Sequence, residues 1–171
     1  LYGLKYPEIK FFGQGYIGPV PVPIIITILI FAVSCYLFYK TKFGRYTVSI
    51  GSNEDAAKLV GINVDRIKIL VFILSGVFCA IAGIILASRS EAAIPTAGNA
   101  YEMDAIAATV IGGTSMSGGK GNMVGTALGA ILMATIKNGL SLLNVNTFWH
   151  QVVIGLFILF AVALDGFATK K

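Results

Sequence analysis

Charge is what this sequence most lacks. Only 12% of its 171 residues are Asp, Glu, Lys or Arg, against about 25% in a soluble domain. That scarcity excludes a water-facing surface over most of the chain, and the mean hydropathy of +0.82 agrees. Cysteine is nearly absent. Cys35 and Cys79 each lie inside an apolar run, with no C-x-x-C and no ligand spacing. They read as small buried hydrophobes, not as a disulfide framework or a metal site. His150 is the only histidine and has no partner at catalytic spacing. It reads as an interfacial or hydrogen-bonded residue, or as part of a substrate passage or gate. Neither a Ser/His/Asp set nor paired carboxylates around a water site occur, so no catalytic residue is assigned and enzymatic chemistry is not expected. The chain opens LYGLKYPEIK, with no Met and no basic segment leading into a short apolar one. Further N-terminal sequence is expected to precede it.

A phosphate-binding loop is missing as well. That motif reads GxxxxGK[ST]. Lys120 is preceded by glycines, but Gly121 follows it and Thr114 stands in the place of the first glycine. No nucleotide cofactor is therefore placed on this chain.

The net charge is +5 and the pI about 9.3. Nucleic acid as a partner is rejected, because the positive charge forms no patch on a polar face. Eight of the thirteen Lys and Arg sit in two polar segments beside apolar runs: Lys40, Lys42, Arg45, Lys58, Arg66, Lys68, Lys170 and Lys171. That is the pattern of cytoplasmic loops in a membrane protein.

What the sequence does have is long apolar runs. Val22 to Tyr39 carries no charge over 18 residues, enough to cross a bilayer. Ile67 to Ser88 is the second such run, with small residues at Gly76, Ala80, Gly83 and Ala87 that allow close helix approach. Residues 101–136 read as two shorter apolar pieces around a polar, glycine-rich stretch. Short pieces suggest a broken or re-entrant hairpin, entering from outside and returning. Trp149 to Leu164 is the last predicted span. Residues 1–21 are rich in Pro and Gly, which predicts an irregular extramembrane segment. Spans at 22–39, 67–88 and 149–164 then place residues 40–66 and the C-terminus in the cytoplasm. The expected fold class is all-α integral membrane: a multi-span helical bundle with a broken hairpin and a short cytoplasmic helix.

Three stretches carry mechanism. In GSNEDAAKLVGINV, Ser52 is a good N-cap with Asp55 three residues on, a capping box. Glu54 and Asp55 suit the positive end of the helix dipole. Gly61 is placed to end the helix in a left-handed cap. Ala56, Leu59 and Val60 give it an apolar side, either as a connector on the membrane surface or as a docking helix for a cytoplasmic partner. YEMDAIAATVIGGTSMSGGKGN, Tyr101 to Asn122, crowds Gly112, Gly113, Gly118, Gly119 and Gly121 into one loop. Gly121, Gly125 and Gly129 then recur at four-residue spacing. That pattern serves helix packing, or lets backbone line a permeation path.

From about Pro19 onward, the chain resembles the permeases of ribose- and galactose-type ABC importers. Three strings in order carry the resemblance: GSNEDAAKLVGINV, YEMDAIAATVIGGTSMSGGKG and NTFWHQVVIGLFILFAVALD. Such permeases are roughly twice this length, so the resemblance implies a C-terminal half. It also implies a monosaccharide moved into a bacterial cell across the inner membrane, with lipid around the helices. A second permease subunit, expected as a homodimer, pairs in the membrane. A cytoplasmic ATP-binding subunit carries ATP and Mg, and a periplasmic or extracellular sugar-binding protein delivers substrate. Ser52, Asn53, Glu54, Asp55, Ala56, Ala57, Lys58, Leu59, Val60 and Gly61 become the ATPase-docking element. Thr109, Gly112, Gly113, Thr114, Ser115, Gly118, Gly119 and Gly121 fall near the translocation path. The alternatives are a branched-chain amino-acid permease of the same class, a secondary transporter or channel without an ATPase, and a non-transporting scaffold. The near absence of ionisable residues in the spans argues against the secondary transporter. The YEMDAIAA and NTFWHQVV strings favour sugar.

Overall fold

The computed structural model describes residues 7–92, 94–146 and 149–159. The predicted end of the last span, 160–164, and the tail with Lys170 and Lys171 lie outside the described residues. Among the described residues the fold is helical, with one short antiparallel ribbon of two-residue strands, Tyr16–Ile17 (β1) with Val20–Pro21 (β2). The chain divides into two compact units. One comprises the residues up to Thr47 with Gly61–Asn99; the other comprises Val48–Val60 with the residues from Ala100 on.

In the first unit, α2 (Val22–Lys40) and α5 (Val64–Ser90) are the long apolar helices. At 1.5 Å per residue they measure about 28 and 40 Å, enough for a hydrocarbon core of about 30 Å. Pro23 sits in the first turn of α2, where a missing N–H breaks no helical bond. Asn63 caps α5 by accepting from Arg66 N at 3.1 Å, so this helix starts three residues before the predicted Ile67. Phe72, Ile73 and Ile84 project from α5 uncovered, as expected of a helix whose surroundings are lipid or another chain.

The prediction that residues 1–21 stay irregular is not met over the described part. Helix α1 (Pro7–Gln14) forms there, with its proline in the first helical position. It packs against the C-terminal end of α5. Lys10 Nζ lies 2.8 Å from Glu91 Oε2, and Gln14 Nε2 donates to the Arg89 carbonyl at 3.2 Å. The Lys10 ammonium holds the Glu91 carboxyl below its ordinary value. The pair thus favours the folded state above the usual glutamate range. Its contribution is lost as pH falls through the lowered value, and it is small because both groups are exposed.

Helix α3 (Lys42–Ser52) carries the chain into the second unit, which contains α4 (Glu54–Leu59), α6 (Tyr101–Ile111), α7 (Met123–Leu142) and α8 (Trp149–Leu159). Its core is Ala107 and Ala108 of α6, Met133 of α7 and Ile154 of α8, flanked by Ile111, Ile136 and Ile158. Helix α7 runs six residues past Ile136, where the predicted apolar piece ends. With 20 residues it is long enough on its own to cross a membrane. It continues because the charge of Lys137 is met by Asp104 of α6.

Candidate functional site

The predicted sites fall on two features of the second unit: the short helix α4 and the α6–α7 hairpin with its glycine loop. Helix α4 is specified locally. Asn53 is its cap, with Oδ1 accepting from Ala56 N at 2.9 Å. This corrects the expected Ser52 cap and its capping box. Ser52 and Asn53 are adjacent residues of equal capping tendency, and Ser52 is consumed as the last residue of α3. Glu54 and Asp55 occupy the first turn, and Lys58 closes an ion pair with Glu54 at 3.0 Å. Gly61 follows Val60 with φ +82, a conformation that disfavours side chains.

The two sides of α4 differ. Ala57 is only 3% exposed, so it lies on the covered side of the helix. Leu59 and Val60 are 88% and 76% exposed. These two large apolar side chains are the ones α4 offers outward, whereas Ala57 belongs to the anchoring side.

The glycine loop folds back on itself between α6 and α7. Thr114 N donates to Thr109 O at 3.1 Å, Ser115 N to Lys120 O and Gly118 N to Ser115 O, each at 3.2 Å. Asn122 N reaches the Thr114 hydroxyl at 3.3 Å, and Asn122 Oδ1 caps α7 by accepting from Gly125 N at 3.0 Å. Gly113, Gly118 and Gly119 hold φ of +83, +86 and +76. The loop meets the segment leading into α4. A Cβ on Gly118 would overlap the Gly51 carbonyl oxygen, and one on Gly119 would lie 3.1 Å from the Ser52 side chain. The structure therefore brings part of the predicted path, Gly118 and Gly119, against the start of the predicted docking element, Ser52. Thr109 is a helical residue of α6, its hydroxyl bonded to Ile106 O at 2.8 Å.

Beyond the loop the two helices touch backbone to backbone. A Cβ on Gly125 would run into the Gly112 carbonyl, and one on Gly129 into the Ala108 carbonyl. Gly121 lies before α7, so the helical part of the predicted stripe is Gly125 and Gly129. The stripe continues through Met133 to Lys137 and faces Asp104, Ala108 and Gly112 of α6. Lys137 pairs with Asp104 and lies 5.4 Å from the centre of the Tyr101 ring. Sequence reasoning missed this pair by ending the apolar piece at Ile136, one residue before Lys137. The signal was available: one more four-residue step from Gly125, Gly129 and Met133 lands on Lys137. Among the described residues no three His, Cys, Asp or Glu side chains converge as a metal site.

Gly61→Pro is expected to unwind the exit from α4, because proline fixes φ near −65° where the backbone needs +82. Limited proteolysis of the purified protein is predicted to cut faster next to residue 61 in this variant; an unchanged cleavage pattern contradicts the need for a left-handed residue there.

A family model described as branched-chain amino acid transport system / permease component matches residues 3–162. The chain is 51% identical over 156 residues to the ribose import permease protein RbsC of Bacillus subtilis (strain 168), covering 91% of this chain and 48% of that one. It is 46% identical over 154 residues to the ribose import permease protein RbsC of Escherichia coli (strain K12), covering 90% and 48%. To the xylose transport system permease protein XylH of the same strain it is 47% identical over 152 residues, covering 89% and 38%. The chain thus spans about half the length, or less, of these relatives. No solved structure matches it.

Proposed function

This chain belongs to the family of branched-chain amino acid transport system / permease components, and on that premise we propose that it is part of the membrane-spanning subunit of an ABC importer for a monosaccharide. The family description names amino acids, but the similar relatives are ribose and xylose permeases. Both of those sugars are pentoses, so a pentose is the proposed cargo. Galactose has no counterpart among these relatives.

The observation that carries the reading is α4. It is a capped helix of six residues, set in a basic segment between long apolar helices, that leaves Leu59 and Val60 exposed. Two bare apolar side chains on a short rigid helix suit a groove in a partner. In this reading a cytoplasmic ATP-binding subunit, holding ATP and Mg, receives them. The segment before α4 abuts the glycine loop at Gly118 and Gly119. Movement of α4 is thereby passed to α6 and α7, where Thr109 and the loop from Gly112 to Gly121 border the path. Residues 40–66 and the C-terminus are placed in the cytoplasm. A second permease subunit completes the pore, and an external sugar-binding protein supplies substrate.

The test is reconstitution of the full-length subunit with its ATP-binding subunit and binding protein in lipid vesicles. Uptake of labelled ribose or xylose that needs both ATP and the binding protein supports the proposal. Uptake of leucine but of neither sugar refutes the choice of cargo.

A further inference from the structure

The α6–α7 hairpin is closed at its glycine end and open at the other. At the open end a cleft of about 280 Å³ is walled by small residues, among them Ala105, Ala130 and Ala134. Its polar groups are Tyr101, Asp104 and Lys137. Asp104 spends Oδ2 on Lys137, while its Oδ1 is shielded and has no hydrogen-bond partner among the described residues. His150 Nε2 is in the same condition. Such atoms are uncommon, because an unmade bond to a buried polar group is costly. Asp104 stands one turn before Ala108, Lys137 one turn after Met133 and His150 one turn before Ile154, and those three apolar residues pack together. Helical neighbours three or four apart share a face, so each of the three helices carries an ionisable group on the face that its core residue buries. Asp104 and Lys137 keep 21% and 33% of their side chains exposed. Charge at membrane depth is kept from lipid and turned to protein or a water-filled cavity.

We propose that this cleft is a hydroxyl-binding subsite for a neutral polyhydroxylated solute, formed by Tyr101, Asp104 and Lys137. The inference rests on the monosaccharide-import reading and extends it to particular side chains. A carboxylate oxygen accepts from a sugar O–H, an ammonium donates to a hydroxyl oxygen, and an aromatic ring covers the C–H side of a sugar ring. The Asp–Lys pair carries no net charge, which suits an uncharged cargo that must also leave. The volume stands at the small end of ligand sites and fits one sugar ring. On the proposed topology the cleft opens outward, where substrate arrives.

The experiment uses the reconstituted importer with saturating binding protein. It compares sugar uptake with ATP hydrolysis for wild type, Asp104→Asn, Tyr101→Leu and the charge-swapped pair Asp104→Lys/Lys137→Asp. Asp104→Asn is expected to lower maximal uptake about tenfold, the loss of one hydrogen bond to a charged group, with hydrolysis changed less than twofold. Tyr101→Leu is expected to behave similarly; its exposed ring makes it the safer variant should Asp104→Asn fail to assemble. The swapped pair is expected to assemble without recovering uptake. Wild-type uptake in the swapped pair shows that the charges serve only to join α6 and α7, and overturns the subsite. So does full uptake by Tyr101→Leu, or by an assembled Asp104→Asn. Absence of uptake by wild type is a different failure, and overturns the import reading together with the subsite.

Discussion

Gly125→Leu in the full-length subunit is expected to prevent recovery of an assembled complex from detergent. The reason is geometric. A Cβ at that position is driven into the Gly112 carbonyl and sits close to the Asn122 side chain that caps α7. Overpacking a core costs about 1–3 kcal/mol when side chains can give way. Here the obstacle is backbone, so the cost is expected at or above the top of that range. Gly125→Ala brings the same Cβ against that carbonyl and is therefore expected to be strongly destabilised as well, read as a lowered thermal midpoint. Gly139→Leu is the control, because nothing lies within 4 Å of a Cβ there on the same helix. Sizing chromatography decides the matter: an unaltered complex for Gly125→Leu contradicts the α6–α7 packing.

The second large effect is expected from Leu59→Glu combined with Val60→Glu. Both side chains are bare in this chain, so the substitutions leave its own core untouched. If they fill a groove on the ATP-binding subunit, each buries an apolar side chain worth about 2 kcal/mol. That is roughly thirtyfold in affinity per residue. The double variant is expected to fold, to reach the membrane and to lose its partner. Ala57→Glu makes an instructive contrast. Ala57 is buried, so a charge there unseats α4 and damages the protein itself. Equal partner binding by wild type and the Leu59/Val60 variant counts against the docking face.

These effects show how far the residues alone carried the reading. The two long helices of the first unit were legible because an uncharged run of 18 or more residues has few other uses. The short helix α4 was legible from its acidic first turn and Gly61, but its cap was not. Ser52 and Asn53 satisfy the same rule, and only the course of α3 decides between them. Helix α3 was missed because KFGRYTVSIGS interleaves apolar Phe43, Tyr46, Val48 and Ile50 with polar residues in a segment dominated by charge. Helix α1 was missed because proline and glycine were weighed as breakers, although a first-turn proline breaks nothing. The end of α7 was placed too early for a different reason. Lys137 is tolerated by virtue of Asp104, 33 residues earlier in the chain, and no local pattern reports a partner so distant. The four-residue stripe did point there, but reading it that far required knowing which helix it faced.

The most direct measurement is isolation of the intact subunit from its native membrane in mild detergent, with mass spectrometry of every protein that accompanies it. An ATP-binding subunit is predicted to co-purify with the wild type and to be lost from the Leu59→Glu/Val60→Glu variant. A wild-type subunit that comes out alone, yet still carries sugar down its gradient in vesicles without ATP, would contradict the account and place the protein among transporters that need no ATPase.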